Sequence, residues 1–424
     1  MKETVAIIGL GYVGLPLAIL CHKKGYHVIG IARDQKKVDL INAGKSPIED
    51  SFIEKNLKPK TLNATIDFAQ VKNADIIIIC VPTPVNEHNL PDLEPIKSAC
   101  HGIAKHLKQD QLVILESTVN PGICESIIQP LLEKESGLAC GKNFQLAHCP
   151  ERINPGDPHW NVSNISRVVG GFDAPTTTRA ANFYRTVIDA DIKEMDSLKE
   201  AEAVKVVENS FRDINIAFVN ELAQSFSVLG IDVVNVINGA ATKPFAFMAH
   251  YPGCGVGGHC ISVDPYYLIE YARVHGFSHR FLSLAREINN SMPSFTVHLM
   301  LDAAKEAKVD LNKSTVVVLG LAYKGNIDDD RESPAYEIIA ELEEWGMKLR
   351  IFDPHILKKS NVSKLEDALD GAQAVIVATA HDEFKSLTPD ILEKFGVKVL
   401  VDGKNMFDKK IFDKSNVVYR GIGR

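Results

Sequence analysis

Residues 255 to 265 read Gly-Val-Gly-Gly-His-Cys-Ile-Ser-Val-Asp-Pro, which sets the thiol of Cys260 after three glycines and the carboxylate of Asp264 four residues further on. A free cysteine most often ends as a small buried hydrophobe. Here Gly255, Gly257 and Gly258 suit a loop that passes close to a ligand, and Asp264 is placed to orient a group or exchange a proton. A second polar set lies upstream. Lys205, Glu208, Asn209, Arg212, Asn215, Asn220 and Glu221 mark one uninterrupted segment. Each alone reads as solvated surface, but Lys205 and Asn209 are four apart, hence on one helix face, and could reach a common ligand. His148-Cys149 and His259-Cys260 could supply metal ligands, yet the chain has no Cys-x-x-Cys pair, so no metal is expected.

The elements that must position these groups begin at the N-terminus. Residues 4 to 14, Thr-Val-Ala-Ile-Ile-Gly-Leu-Gly-Tyr-Val-Gly, place an apolar strand before G-x-G-x-x-G, with a helix-compatible run, Leu15 to Lys24, after it. In that context Gly9 permits the tight turn, Gly11 lets the backbone approach a pyrophosphate, and Gly14 allows close helix packing. Further β-rich runs follow at His27 to Ile31, Asp75 to Val81, Leu112 to Leu115, Phe144 to Ala147 and Arg167 to Val169, so a dinucleotide-binding domain is expected. Val316 to Gly325 repeats the strand and turn with Ala322 in place of the middle glycine, and strands at Leu349 to Phe352, Ala374 to Ala378 and Val397 to Val401 continue the pattern. This second unit is expected to bind something other than the redox dinucleotide, because a methyl group stands at the point of closest approach.

Between them, residues 200 to 229 lack Gly and Pro and carry apolar residues at helical spacing, which predicts one long helix ending near Gly230. The expected architecture is α/β: two Rossmann-like doubly wound domains, 1–199 and 309–424, joined by a central helical region, 200–308. A helix of that length is expected to pack against its two-fold mate in a homodimer. With an oxidant from the first domain, the thiolate gains a specific use. It could capture an aldehyde as a thiohemiacetal, which loses hydride to give a thioester and is then hydrolysed.

Composition narrows the classes. A net charge of −7 and 24% charged residues give no global attraction to nucleic acid or to a membrane surface, and no apolar run approaches the length of a membrane span. Eight cysteines without framework spacing point to reduced thiols and a cytoplasmic protein.

Several motifs together carry a resemblance: Gly9 to Gly14, Val81-Pro-Thr-Pro84, Glu116-Ser-Thr118, Cys149-Pro-Glu-Arg152, Ala203 to Asn220, Gly255 to Asp264, Leu321 to Gly325 and Asp329 to Pro334. In these the chain resembles the UDP-glucose/GDP-mannose dehydrogenase family over essentially its whole length. The resemblance implies four-electron oxidation of a sugar C6 hydroxyl, with Cys260 as nucleophile, Lys205 and Asn209 on the C6 oxygen, Asp264 and Glu151 positioning and activating water, and Thr118 holding that water. It also implies NAD lined by Gly9, Gly11, Tyr12, Val13, Gly14, Thr83, Thr118, Glu151 and Arg331. The UDP-sugar would meet Glu151, Arg152, Lys205, Asn209, Tyr251, Gly253, Gly257, Gly258 and Lys324. The sequence from Ala241 to Met248, with Phe245 where the N-acetylmannosamine branch usually has arginine, resembles the UDP-N-acetylglucosamine branch.

Two departures stand out. Cys254 replaces a proline usual in that branch, either loosening the loop or offering a resolving thiol. At the end of the second strand Gly30-Ile-Ala-Arg-Asp34 puts Ala32 where relatives have the ribose-binding aspartate, with Arg33 next. A small residue followed by arginine suits a 2′-phosphate, so NADP competes with NAD.

Overall fold

The computed structural model of the protein describes residues 3–48, 50–84, 92–152, 159–258 and 261–424. Cys260 and its neighbour His259, the centre of the predicted thiol chemistry, lie outside the described residues.

The first sheet has eight strands: β1 (Thr4–Ile8), β2 (His27–Ile31), β3 (Asn63–Thr65), β4 (Ile76–Ile79), β5 (Leu112–Leu115), β6 (Gln145–His148), β7 (Arg167–Gly171) and β8 (Ile192–Glu194), in the order β3-β2-β1-β4-β5-β6-β7-β8. All pairs are parallel except β6 with β7. The central strand β4 is four consecutive isoleucines, every one buried, as a strand covered on both faces requires. Its register, Val5 opposite Ile76 and Ile76 opposite Leu112, stacks β-branched and leucine side chains across the sheet. One face packs Leu17, Val38, Tyr184 and Val187, the other Ile96, Ile103, Ile128 and Leu132. The second sheet comprises β9 (Thr315–Leu319), β10 (Lys348–Phe352), β11 (Ala374–Val377), β12 (Val399–Asp402) and β13 (Val418–Gly421), ordered β10-β9-β11-β12-β13 and wholly parallel.

The sequence reading finds the central strands within one or two residues. It misses β3, β8 and β13, which are short, partly polar and on or next to sheet edges, where neither alternation nor an apolar run marks them.

The long helix runs Leu198–Leu229, 32 residues, beginning two residues earlier than its sequence pattern indicates. It ends at Gly230, whose φ of +69° is the left-handed conformation that closes many helices. By contacts the chain divides into two compact units. The first runs as far as Glu208 and recruits Tyr266–Gly276 from much later in the chain; the second takes Asn209–Pro265 and everything from Phe277 onward. Among the described residues no helix is long and apolar enough to cross a membrane.

Candidate active site

The first glycine turn has the geometry its spacing predicts. Gly9 has φ +94°, and a Cβ there would lie 2.6 Å from Cys80 O; a Cβ on Gly14 would strike Gly9 O, so glycine is required for the helix Gly14–Lys23 to pack this close. A Cβ on Gly11 would meet nothing within 4 Å. The space above the turn is open, and the helix N-terminus beside it suits an anion, so these residues fit a dinucleotide pyrophosphate. Tyr12 is exposed beside it and Val13 is the last residue before the helix. Past β2, Ala32 N donates to Thr65 O at 3.0 Å, Arg33 is exposed, and Asp34 caps the next helix, Gln35–Asn42, by accepting from Lys36 N at 2.9 Å. The Asp34 carboxylate is therefore engaged with the backbone through Oδ1.

The predicted residues of the first unit cluster at the C-terminal ends of β4, β5 and β6, where an open α/β sheet binds its ligand. Glu116, immediately after β5, is fully buried and accepts from Arg167 Nη1 at 3.0 Å and from Tyr184 OH at 2.5 Å. Its backbone oxygen receives Glu151 N at 3.3 Å, so one buried ion pair anchors both the turn bearing Thr118 and the turn bearing Glu151. Removing either partner would leave a buried charge uncompensated. Thr83 O accepts from Tyr267 OH, and Asn120 Nδ2 donates to Tyr267 O at 2.8 Å, which fastens the late segment onto these turns. Arg152 is drawn toward the protein: its Nε donates to Glu208 Oε2 at 3.1 Å and its Nη1 to Ser166 O at 2.8 Å.

Along one face of the long helix stand Glu202, Lys205, Asn209, Asp213 and Asn220, all buried. Of the polar residues read from the sequence, Lys205, Asn209 and Asn220 face inward, Glu208 and Asn215 are half-buried, and Arg212 and Glu221 are exposed. Asn209 Nδ2 donates to Asp264 Oδ2 at 2.5 Å, so two predicted catalytic residues 55 apart in sequence meet directly. Asp213 takes Arg286 Nη1 at 2.6 Å and Asn289 Nδ2 at 2.8 Å; Asn289 in turn accepts from Asn220, whose Oδ1 receives Gly253 N at 3.0 Å. The helix thus braces the cysteine segment before Gly255 and again at Asp264.

Glu202 accepts from Gly122 N and from Cys124 N, the latter at 2.8 Å. Burial pushes its carboxyl up to about 7, against the opposing pull of those amides. A folded-state value above the unfolded one means the protonated form is favoured in the native protein. The corresponding stability is full below the ordinary carboxylate range and is lost as pH rises through 7, by about 3 kcal/mol in all. Thermal midpoints measured from about pH 5 to 8 should fall in the native protein, and the fall should be smaller in Glu202→Gln. An equal slope in both would show that Glu202 does not titrate there.

In the second unit, Gly255 (φ +134°) and Gly258 (φ +86°) have backbones that demand glycine. A Cβ on Gly257 would lie 2.5 Å from Glu332 O, and one on Gly258 2.8 Å from the Tyr323 ring. Among the described residues the close approach read from these glycines is to the protein itself, and Gly258 N donates to Arg331 O at 3.0 Å. Arg331 pairs with Asp329 at 2.6 Å, Lys324 is exposed, and Tyr251 OH donates to Asn238. Cys254 is fully buried, its thiol 3.4 Å from Ala378 O, which makes it a packing residue rather than an accessible resolving thiol.

Sequence reasoning missed Glu202, Arg167, Tyr184 and the Arg286–Asp213 pair. Glu202 had a signal, being three residues before Lys205 and so on its face. Arg167 had none, since a charged residue opening an apolar strand reads as exposed.

The comparisons agree with this arrangement along the chain. The UDP-glucose/GDP-mannose dehydrogenase family's NAD-binding domain matches residues 3–188, its central domain 199–291 and its UDP-binding domain 317–409. The chain belongs to that family, and it is an NAD-dependent oxidoreductase of the nucleotide-sugar dehydrogenase type. Among curated relatives it is 36% identical to a UDP-N-acetyl-D-glucosamine 6-dehydrogenase of Pseudomonas aeruginosa (98% of this chain, 100% of the relative). It is also 36% identical to a UDP-N-acetyl-D-mannosamine dehydrogenase of Pyrococcus horikoshii, over 99% of each. A solved UDP-N-acetylmannosamine dehydrogenase structure from Pyrococcus horikoshii superposes with a TM-score of 0.93 at 35% identity, covering 99% of both chains.

Proposed function

We propose that the protein oxidises the C6 hydroxyl of a UDP-N-acetylhexosamine to the carboxylate in two hydride transfers through Cys260, feeding surface-polysaccharide synthesis. The observation that carries this is the Asn209–Asp264 bond, which sets the carboxylate that follows Cys260 against the helix that bears Lys205. Two NAD molecules, bound in turn, would each accept one hydride. The C6 alcohol gives up a hydride from carbon and its hydroxyl proton, the proton passing to the water at Thr118 and on to solvent, to become the aldehyde. The Cys260 thiolate adds to the aldehyde carbon, forming the C–S bond, and Lys205 stabilises the oxyanion. Loss of the second hydride leaves a thioester. Water, positioned by Thr118 and activated by Asp264 and Glu151, adds to the carbonyl, and the C–S bond breaks to return the thiolate. Arg152, Tyr251, Gly253, Gly257, Gly258 and Lys324 would line the UDP-sugar, and Thr83 and Arg331 the dinucleotide.

The manno epimer is supported by the Pyrococcus horikoshii likenesses, the gluco epimer by Phe245 and by the equally similar relative from Pseudomonas aeruginosa. Steady-state kcat/KM against UDP-N-acetyl-mannosamine, -glucosamine and -galactosamine and UDP-glucose, each with NAD and NADP, tests the reading. Two reduced cofactors per sugar are expected, and one per sugar would overturn it. Because Ala32 removes the repulsion of a 2′-phosphate and Asp34 is held by its cap, NADP is expected to be only weakly excluded, and Ala32→Asp should sharpen the preference for NAD.

Assembly follows from the same helix. Val207, Phe211 and Phe218 are each about half exposed and, at spacings of four and seven, form one apolar stripe on its outer side; Phe281 and Leu284 are likewise exposed on the helix Arg280–Glu306. A second copy of the chain is the proposed cover. Sedimentation at micromolar concentration should show a dimer that Phe218→Glu dissociates; a native monomer would refute it.

A further inference from the structure

The second glycine turn, between β9 and Gly325, lacks its middle glycine, and the structure shows what occupies the anion position instead. Asp353 follows β10 directly, the place from which an acid in a doubly wound fold ordinarily reaches a ribose. Here the carboxylate is fully buried and turns inward. Its Oδ2 accepts from Leu321 N at 2.6 Å and Ala322 N at 2.9 Å, the amides of the turn itself, and lies 3.0 Å from His381 Nε2. Its Oδ1 accepts from His355 N at 2.8 Å and Ile356 N at 3.1 Å. Burial alone would raise this acid, but the His381 bond and the two turn amides outweigh it and hold the carboxyl at about 2.

His381 extends the arrangement. Its Nδ1 accepts from Asn326 N at 2.9 Å, so its proton sits on Nε2 and points at Asp353. One imidazole therefore joins the carboxylate at the start of the segment 321–326 to the backbone at its end. His355 stacks on it at 4.6 Å, and Thr379 Oγ1 fixes Ala322 O at 2.5 Å. His355, His381 and Glu383 come close enough together to hold a metal ion, but both ring nitrogens of His381 are already engaged. The segment so held carries Lys324, and Tyr323, on which Gly258 of the cysteine segment packs.

We propose that Asp353 is a built-in anion. It fills the phosphate cradle of the second turn, keeps a ligand phosphate off those amides, and with His381 fixes the segment that presents Lys324 to the substrate diphosphate. Asp353 is thus a positioning residue, and its link to Lys324 depends on the substrate reading given above. A fixed negative charge at the turn explains why a diphosphate here must be met by a side chain rather than by backbone amides.

Asp353→Ala empties the cradle and leaves its donors unsatisfied. Sodium formate, matched against sodium chloride for ionic strength, should raise the thermal midpoint of Asp353→Ala by about 3 °C or more while leaving the native protein within about 1 °C. This arm needs no substrate and so stands whether or not the sugar assignment does. If the alanine variant fails to fold, Asp353→Asn, which turns an amide toward donors, should raise KM for the UDP-sugar roughly tenfold with kcat within about threefold. Equal formate responses in the alanine variant and the native protein, or an unchanged KM in the asparagine variant, would overturn the proposal.

Discussion

Replacing Cys260 with alanine is expected to lower uronic acid formation by at least about 10⁴-fold, the scale seen when a nucleophile that works with its neighbours is removed. The reason is chemical rather than structural. An aldehyde carbon has no hydride to give in a direction that yields an acid until a nucleophile has added to it, and in the proposed mechanism the Cys260 thiolate supplies that addition along with a leaving group that water can displace. The first oxidation does not need the thiol, so cofactor reduction in Cys260→Ala should stop at or below one equivalent per sugar. Mass spectrometry of the product separates alcohol, aldehyde and acid. Acid at more than a trace in this variant would remove covalent catalysis from the mechanism.

Lys205→Ala is expected to lower kcat by about 10² to 10³ while changing KM little, the usual loss when one oxyanion donor is removed. Lys205 is buried on the same helix face as Asn209, one turn away, so its charge is exposed to little screening solvent. Truncating a buried stem also costs packing, which makes Lys205→Met the necessary companion: it keeps the stem and loses the charge. Both variants should show the same kcat loss. A change confined to KM, or a loss in alanine that methionine restores, would make Lys205 a binding or packing residue.

Much of the fold was legible because parallel strands buried on both faces are nearly continuous apolar runs, as with the four isoleucines of β4. The roles of Gly9 and Gly14 were legible too, since strand, turn and helix fix the backbone whatever surrounds them. What sequence alone did not yield was direction. Lys205, Asn209, Arg212 and Glu221 each read alone as solvated residues, and the structure buries the first two, with Asn209 against Asp264, while it leaves the last two exposed. Asp353 drew no reading from the sequence at all. An acid after a second strand normally suggests a ribose contact, and whether it reaches outward or folds back onto its own turn depends on a histidine 28 residues away.

The recruitment of Tyr266–Gly276 into the first unit has a consequence for how the protein is made. A ribosome extends the chain at about 5 to 20 residues per second, and early domains normally fold as they emerge. Here the stretch after Glu208 must be translated as far as Gly276 before the first unit has all its parts, a wait of roughly 3 to 14 s. Until then Asn120 lacks the carbonyl of Tyr267, and Gly122 lacks the Tyr271 side chain that packs over it. The nascent N-terminal sheet would form early, but the turns that carry Thr83 and Thr118 would be completed only later, so a product truncated near residue 208 should emerge with its sheet intact and its ligand-facing rim unfinished.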